Sequence, residues 1–182
     1  MSKQNAKSGT SFQNEIRDDC EWLESRQLAH IVEIPDPFRV RSYNGARVTG
    51  HFESPKEVDF AGTLASGRSI VFEAKATKAA TRFSFAKLET SGTEEEQNRQ
   101  RDLLARHAAM GAVSFVLVRR IVPDRIQQFT YIFPVDAAGV IGNTPDHERR
   151  SINWDDAGRF AVPRGRHWWW HLVQLYELPF ER

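Results

Sequence analysis

The sequence predicts an α/β (α+β) fold, on three observations. Two stretches, about 11–27 and about 93–110, carry apolar residues at helical spacing. Val58–Lys75, VDFAGTLASGRSIVFEAK, reads as two strand runs joined by a Ser-Gly turn. Ala112–Ile121 is almost continuously apolar, which marks a strand buried on both faces and therefore central. The chain has 182 residues, enough for one domain with a substantial core. Residues 1–9 are polar and expected to be mobile, leaving 10–182 as the domain.

Composition narrows the function classes. No apolar run approaches the ~18–20 residues of a membrane span, and hydrophobic residues make up 40% of the chain. No membrane partner is expected. The opening MSKQNAKSGT lacks the apolar core of a secretory signal. The single cysteine, Cys20, excludes an intrachain disulfide and a cysteine-built zinc cage. A cytoplasmic location fits these features. Net charge is +1, but its distribution is uneven. Pro37–Lys56 carries Arg39, Arg41, Arg47 and Lys56 against Glu53. Arg68–Lys87 carries Arg68, Lys75, Lys78, Arg82 and Lys87 against Glu73. Segregated basic stretches suit a polyanionic partner, although each cation taken singly reads as ordinary surface.

In chain order, helix one runs from about Ser11 to Gln27, with Thr10 and Gln13 as a T-x-x-Q capping box. Phe12, Ile16, Cys20 and Leu23 form its buried stripe. Glu15 borders that stripe, and two readings stand for it: a carboxylate reaching a site, or a surface residue. His30–Ile34 is a strand, and Pro35-Asp36-Pro37 ends it. Phe38–Phe52 alternates around Asn44-Gly45 and reads as a second hairpin. It is poor in apolar residues and carries Arg39, Arg41 and Arg47. It is either an arm that enters bent or branched nucleic acid, or an edge hairpin blunted by charge.

The central hairpin follows. Period two puts Asp59, Ala61 and Thr63 on one face, and Glu73 and Lys75 together on the next strand. Two carboxylates suit Mg²⁺, which takes hard oxygen ligands and keeps waters for a phosphate substrate. A neighbouring lysine orients a water or offsets charge on a phosphate in flight. The plain alternative is a set of solvated strand residues, since E-x-K triplets arise by chance in a chain 27% charged. Thr77 and Lys78 follow closely enough to contact phosphate, and Phe83 and Phe85 alternate in a short extended piece.

Helix two spans about Thr93–Met110, with Glu94, Glu95 and Glu96 in its favourable first turn. Gln97 shares a face with Leu104 and Ala108, and either points inward and needs a partner or lies half-exposed. Gly111 stops the helix, and Gln128–Phe133 is a further strand ended by Pro134. Residues 136–153 read as a loop or a short helix. Of Trp168, Trp169 and Trp170, core packing is the first reading and base stacking the second. His167 and His171 have the i, i+4 spacing, which is read as aromatic packing or phosphate contact rather than a metal site.

A helix with Glu, a strand with Asp, a strand with E-x-K and a helix with Gln, in that order, resembles the PD-(D/E)xK nuclease superfamily. More narrowly the chain resembles the RecU group of Holliday-junction resolvases. The residues that carry this are GTSFQNEI, GHFESPKEVDFAG, SIVFEAKAT, the helix with EEEQNRQRDLL, and GAVSFVLVRR, between about Gly9 and Arg120.

The resemblance implies a restriction-endonuclease-like mixed β-sheet flanked by helices, Mg²⁺ or Mn²⁺ as cofactor, and a homodimer acting on four-way DNA. It implies that the hairpin at 38–52 is a protruding stalk. Asp59 and Glu73, with the Ala74 carbonyl, become metal ligands, and Lys75 positions the water. Glu15 and Gln97 match catalytic polar residues of the flanking helices. Arg39, Arg41, Arg47, Thr77 and Lys78 become DNA contacts. Other targets on the same fold (flaps or plain duplex) and a catalytically silent DNA-binding protein remain as alternatives. The HWWWH segment has no counterpart in the pattern.

Overall fold

The structure is a computed structural model that describes residues 3–35, 38–44, 47–52, 58–84, 94–122, 128–139 and 151–176. Helix α1 (Lys3–Ser25) is followed by β1 (Ala29–Glu33), β2 (Phe38–Asn44), β3 (Arg47–Phe52), β4 (Phe60–Leu64), β5 (Ser69–Thr77) and β6 (Arg82–Ser84). Then come α2 (Glu94–Ala109), β7 (Val113–Ile121), β8 (Gln128–Pro134), β9 (Ser151–Asn153) and α3 (Trp168–Tyr176). A 3-10 stretch, Asp156–Phe160, precedes α3.

Five strands form the main sheet in the order β1-β4-β5-β7-β8. The β5–β7 pair is parallel and the other pairs are antiparallel, so the sheet is mixed. A parallel pair requires a crossover, and α2 supplies it. The strand expected at the centre, β7, is indeed flanked on both sides, and Val113–Val118 are all buried.

Local chemistry explains the element ends. The α1 stripe of Phe12, Ile16, Cys20 and Leu23 is buried as the spacing predicts. The helix begins earlier than expected, at Lys3, so Thr10 lies inside it rather than capping it. Lys3, Gln4, Ala6 and Lys7 are good helix formers, and they carry the helix through Gly9 at a penalty of about 1 kcal/mol. At its other end Gln27 adopts φ 58°, with Leu28 N–H donating to Leu23 O and Gln27 N–H to Glu24 O. This is a Schellman cap. The same cap ends α2, with Gly111 at φ 89° and Ala112 N–H donating to His107 O. The β4–β5 turn closes through Gly67 N–H to Leu64 O at 2.8 Å. Gly62 faces β1 so closely that a Cβ there would stand 2.1 Å from His30 O, which requires glycine.

Strand alternation divides the core in two. Phe60, Ile70, Phe72, Ala74, Phe115 and Leu117 face α1 and α3. Val71, Val116, Val118, Tyr131 and Phe133 face the other side, where Leu104 and Ala105 of α2 pack with Trp154 and Phe160. On the first side Phe60, Phe72 and Phe115 sit side by side across three strands, with ring centroids 4.9 and 4.6 Å apart. Trp168 closes over Phe72.

The β2–β3 pair forms its own two-stranded ribbon outside the main sheet. This matches the second hairpin read from Asn44-Gly45. Its arginine side chains, those of Arg39, Arg41 and Arg47, lie outside what is described. The stretch read as loop or short helix contains β9, which pairs with β6 as a third small sheet. Among the described residues no helix is long and apolar enough to cross a membrane.

Candidate active site

Phe60 pairs with Phe72 across β4 and β5, so the preceding Asp59 stands beside Glu73. Both carboxylates project to the α2 side of the sheet, because Phe60, Phe72 and Ala74 project to the α1 side. Asp59 is 5% exposed and Glu73 is 0% exposed. Asp59 is held in place by the Ala74 N–H, which donates to Oδ2 at 2.8 Å. Lys75 lies two residues along the same face, with Nζ 3.1 Å from Glu73 Oε2 and about a quarter of its side chain exposed. The three residues that the E-x-K strand and the preceding Asp point to are thus gathered in one cluster.

The electrostatics of this cluster are unbalanced. Burial pushes the Glu73 carboxyl well above the usual carboxylate range; Lys75 pulls it down, and the charge and hydrogen bond of Asp59 push it up again. Glu73 is completely buried, with the Lys75 ammonium at 3.1 Å and Asp59 beside it. Two buried carboxylates facing one ammonium leave negative charge only partly offset. Two adjacent buried carboxylates fit a hard divalent cation, which accepts Asp and Glu oxygens and completes its shell with water and phosphate. Among the described residues no third His, Cys, Asp or Glu joins them. Ala74, expected to offer its carbonyl, is seen contributing its N–H to Asp59.

Glu15 is not brought to this cluster. α1 lies on the opposite face, and the Glu15 carboxylate accepts from Arg119 Nη1 at 2.6 Å. Arg119 projects to that face because its neighbours Val118 and Arg120 alternate with it, and it stacks over Phe12 at 4.2 Å. Of the two readings for Glu15, the surface ion pair is the one observed. Gln97 sits in the first turn of α2, and its side chain lies outside the described residues.

Gln100, one turn further on, is a residue that the sequence reading missed. It is 6% exposed, and its Oε1 has no hydrogen-bond donor among the described residues. α2 runs antiparallel to β5, since it returns the chain from the end of β5 to the start of β7. Gln100 lies one turn before Leu104, whose side chain packs on the sheet face that carries Glu73. The available signal was the i, i+4 spacing from Gln100 to Leu104, which is fully buried.

Cations rim the open end of the cluster. Thr77 follows on β5, its Oγ1 accepting from Ala79 N–H at 3.1 Å, and Lys78 is exposed. Arg120 pairs with Thr77 in register and shares the site's face. Its guanidinium donates to Ala80 O and lies 5.0 Å over Trp154. A larger cleft of about 550 Å³ lies at the other end of the strands, lined by Arg68, Ala112, Pro134, Arg159 and Tyr176. It contains none of the clustered residues. A rigid duplex is too wide for such a pocket, and an open, cation-rimmed strand end suits it better.

The model of the family described as recombination protein U matches residues 7–156. No curated protein matches the sequence significantly. Among solved structures the chain is similar to the 1.6 Å structure of Hjc from Archaeoglobus fulgidus, a Holliday junction resolvase from an archaeal hyperthermophile. The two share 11% identity over 96% of this chain and 99% of that one, with a TM-score of 0.45.

Proposed function

From the premise that the chain belongs to the recombination protein U family, we propose that it is a structure-specific endodeoxyribonuclease that resolves four-way DNA junctions. The observation that carries the chemistry is the buried Asp59–Glu73 pair with Lys75 beside it.

Asp59 and Glu73 would hold a divalent cation, Mg²⁺ or Mn²⁺. When bound there, such a cation polarises the scissile phosphate and lowers the pKa of a coordinated water. The protein's own residues do the rest. The Ala74 N–H fixes the Asp59 carboxylate through Oδ2. Lys75 balances Glu73 and presents an ammonium to a water or to the developing charge on phosphorus. Thr77, Lys78 and Arg120 line the exit of the strand end as phosphate contacts. Hydrolysis leaves 5′-phosphate and 3′-hydroxyl ends.

The β2–β3 ribbon, with Arg39, Arg41 and Arg47 in its sequence, is the element we assign to the junction centre. A homodimer would present two such sites to two strands of a junction whose symmetry matches its own. A cytoplasmic location fits the single buried Cys20. Asp59→Asn separates binding from chemistry. The variant should bind a labelled junction as the parent does and cut at less than about one thousandth of its rate, the scale of losing a principal electrostatic group. Loss of binding in a folded Asp59→Asn chain would count against this assignment.

A further inference from the structure

The HWWWH segment builds a surface that the cleavage chemistry does not use. Trp168 points inward, packing on Phe72 and Phe115. Trp169 is buried beside it, and Trp170 remains half-exposed. Trp169 stacks on Trp22 of α1 with centroids 4.8 Å apart and planes 17° apart. It also stacks on Trp170 at 5.3 Å and 22°, and on His167 at 5.9 Å and 17°. Trp169 is 7% exposed, whereas Trp22 and Trp170 are 40% and 38% exposed. The outer rings carry guanidinium groups: Arg26 lies 5.4 Å over Trp22, and Arg166 lies 5.9 Å over Trp170. Two nearby carboxylates are occupied, Glu24 by His30 and Asp19 by His167.

Near-parallel aromatic rings flanked by arginines match the chemistry of unpaired nucleotides. Each base has a π-face that stacks on an indole or on a guanidinium plane, and each phosphate pairs with the guanidinium N–H groups. A protein partner would instead seek a broad apolar patch. Here the exposed large apolar side chains among the described residues are only Trp22, Val32, Met110 and Trp170. The platform stands on the α1–α3 face, opposite the Asp59–Glu73–Lys75 face.

We propose that the exposed Trp22 and Trp170, backed by the buried Trp169 and flanked by Arg26 and Arg166, form a second nucleic-acid site that stacks unpaired bases of single-stranded DNA. It is separate from the cleavage site and does not rest on the cleavage reading. A junction or its processed arms would offer such bases whenever pairing opens.

The test is titration of the full chain with oligo-dT in EDTA. Tryptophan fluorescence reports stacking, and anisotropy of labelled oligo-dT reports affinity. The parent chain should show quenching. Trp22→Ala/Trp170→Ala should weaken binding at least about fivefold, the lower end for losing a stacking ring. Trp22→Phe/Trp170→Phe should recover part of the loss. Nicking of a four-way junction should continue in both, and Asp59→Asn should keep oligo-dT binding whether or not the chain proves to be a nuclease. Parent-like oligo-dT binding by the double alanine variant would overturn the proposal. So would a fall from dimer to monomer in that variant by light scattering, which would make this face an interface between copies.

Discussion

Glu73 is the residue on which the chemistry and the stability meet. Burial holds its proton to a higher pH in the folded chain than in the unfolded one. Protonated Glu73 therefore favours folding, fully below its unfolded pKa, and that contribution is lost as pH rises through the folded value. Glu73→Gln is neutral throughout. In EDTA the variant should melt like the parent at acid pH and increasingly above it as pH rises. Each kcal/mol corresponds to about 2–4 °C for a chain of this size, and a pH series of thermal melts reads it directly. The same substitution should abolish cleavage. Mg²⁺ should stabilise the parent by about 2.7 kcal/mol at a hundredfold over its Kd, raising its midpoint, and should leave those of Glu73→Gln and Asp59→Asn unmoved. Gln100→Leu should lower cleavage while keeping the fold, because it removes a buried amide whose Oε1 has no donor among the described residues. Single-turnover nicking, with circular dichroism as the control, measures it. The Asp59, Glu73 and Lys75 cluster was legible because strand period two is strict. Gln97 lies outside the described side chains, and the neighbouring buried Gln100 was not singled out because helical phase leaves nearby polar positions on nearly the same face.

At the scale of elements, β4 and β5 carry the site and the central aromatic row together. Phe72 is fully buried between Phe60 and Phe115 and under Trp168. Phe72→Ala should lower unfolding free energy by about 3–5 kcal/mol, measurable by urea denaturation. Both hairpins and both main helices were legible from turn residues and apolar spacing. The early start of α1 was not, because a T-x-x-Q capping box is a local signal that the helix propensity of Lys3, Gln4, Ala6 and Lys7 overrides. The side of the sheet reached by Glu15 was also hidden. Periodicity placed it beside Phe12 and Ile16, but only the sheet's layering shows that this stripe covers the face away from Asp59. β9 escaped notice because a three-residue strand is too short for any period.

Over the whole molecule, charge is near balance, so affinity for DNA must come from where the cations sit. Lys75, Lys78 and Arg120 gather at one strand end, with the arginine-bearing β2–β3 ribbon as a separate element. Junction binding should weaken steeply with salt, with a log–log slope of about 0.9 per phosphate neutralised. Removing residues 38–52 should hurt junction cleavage more than it hurts cleavage of any plain duplex. The most direct measurement is cleavage of an end-labelled four-way junction beside linear duplex of the same sequence, with Mg²⁺ or EDTA. Paired nicks on opposing strands of the junction alone, absent in EDTA and in Asp59→Asn, are the expected result. Equal cutting of the duplex, or nicking that persists in EDTA, would contradict it.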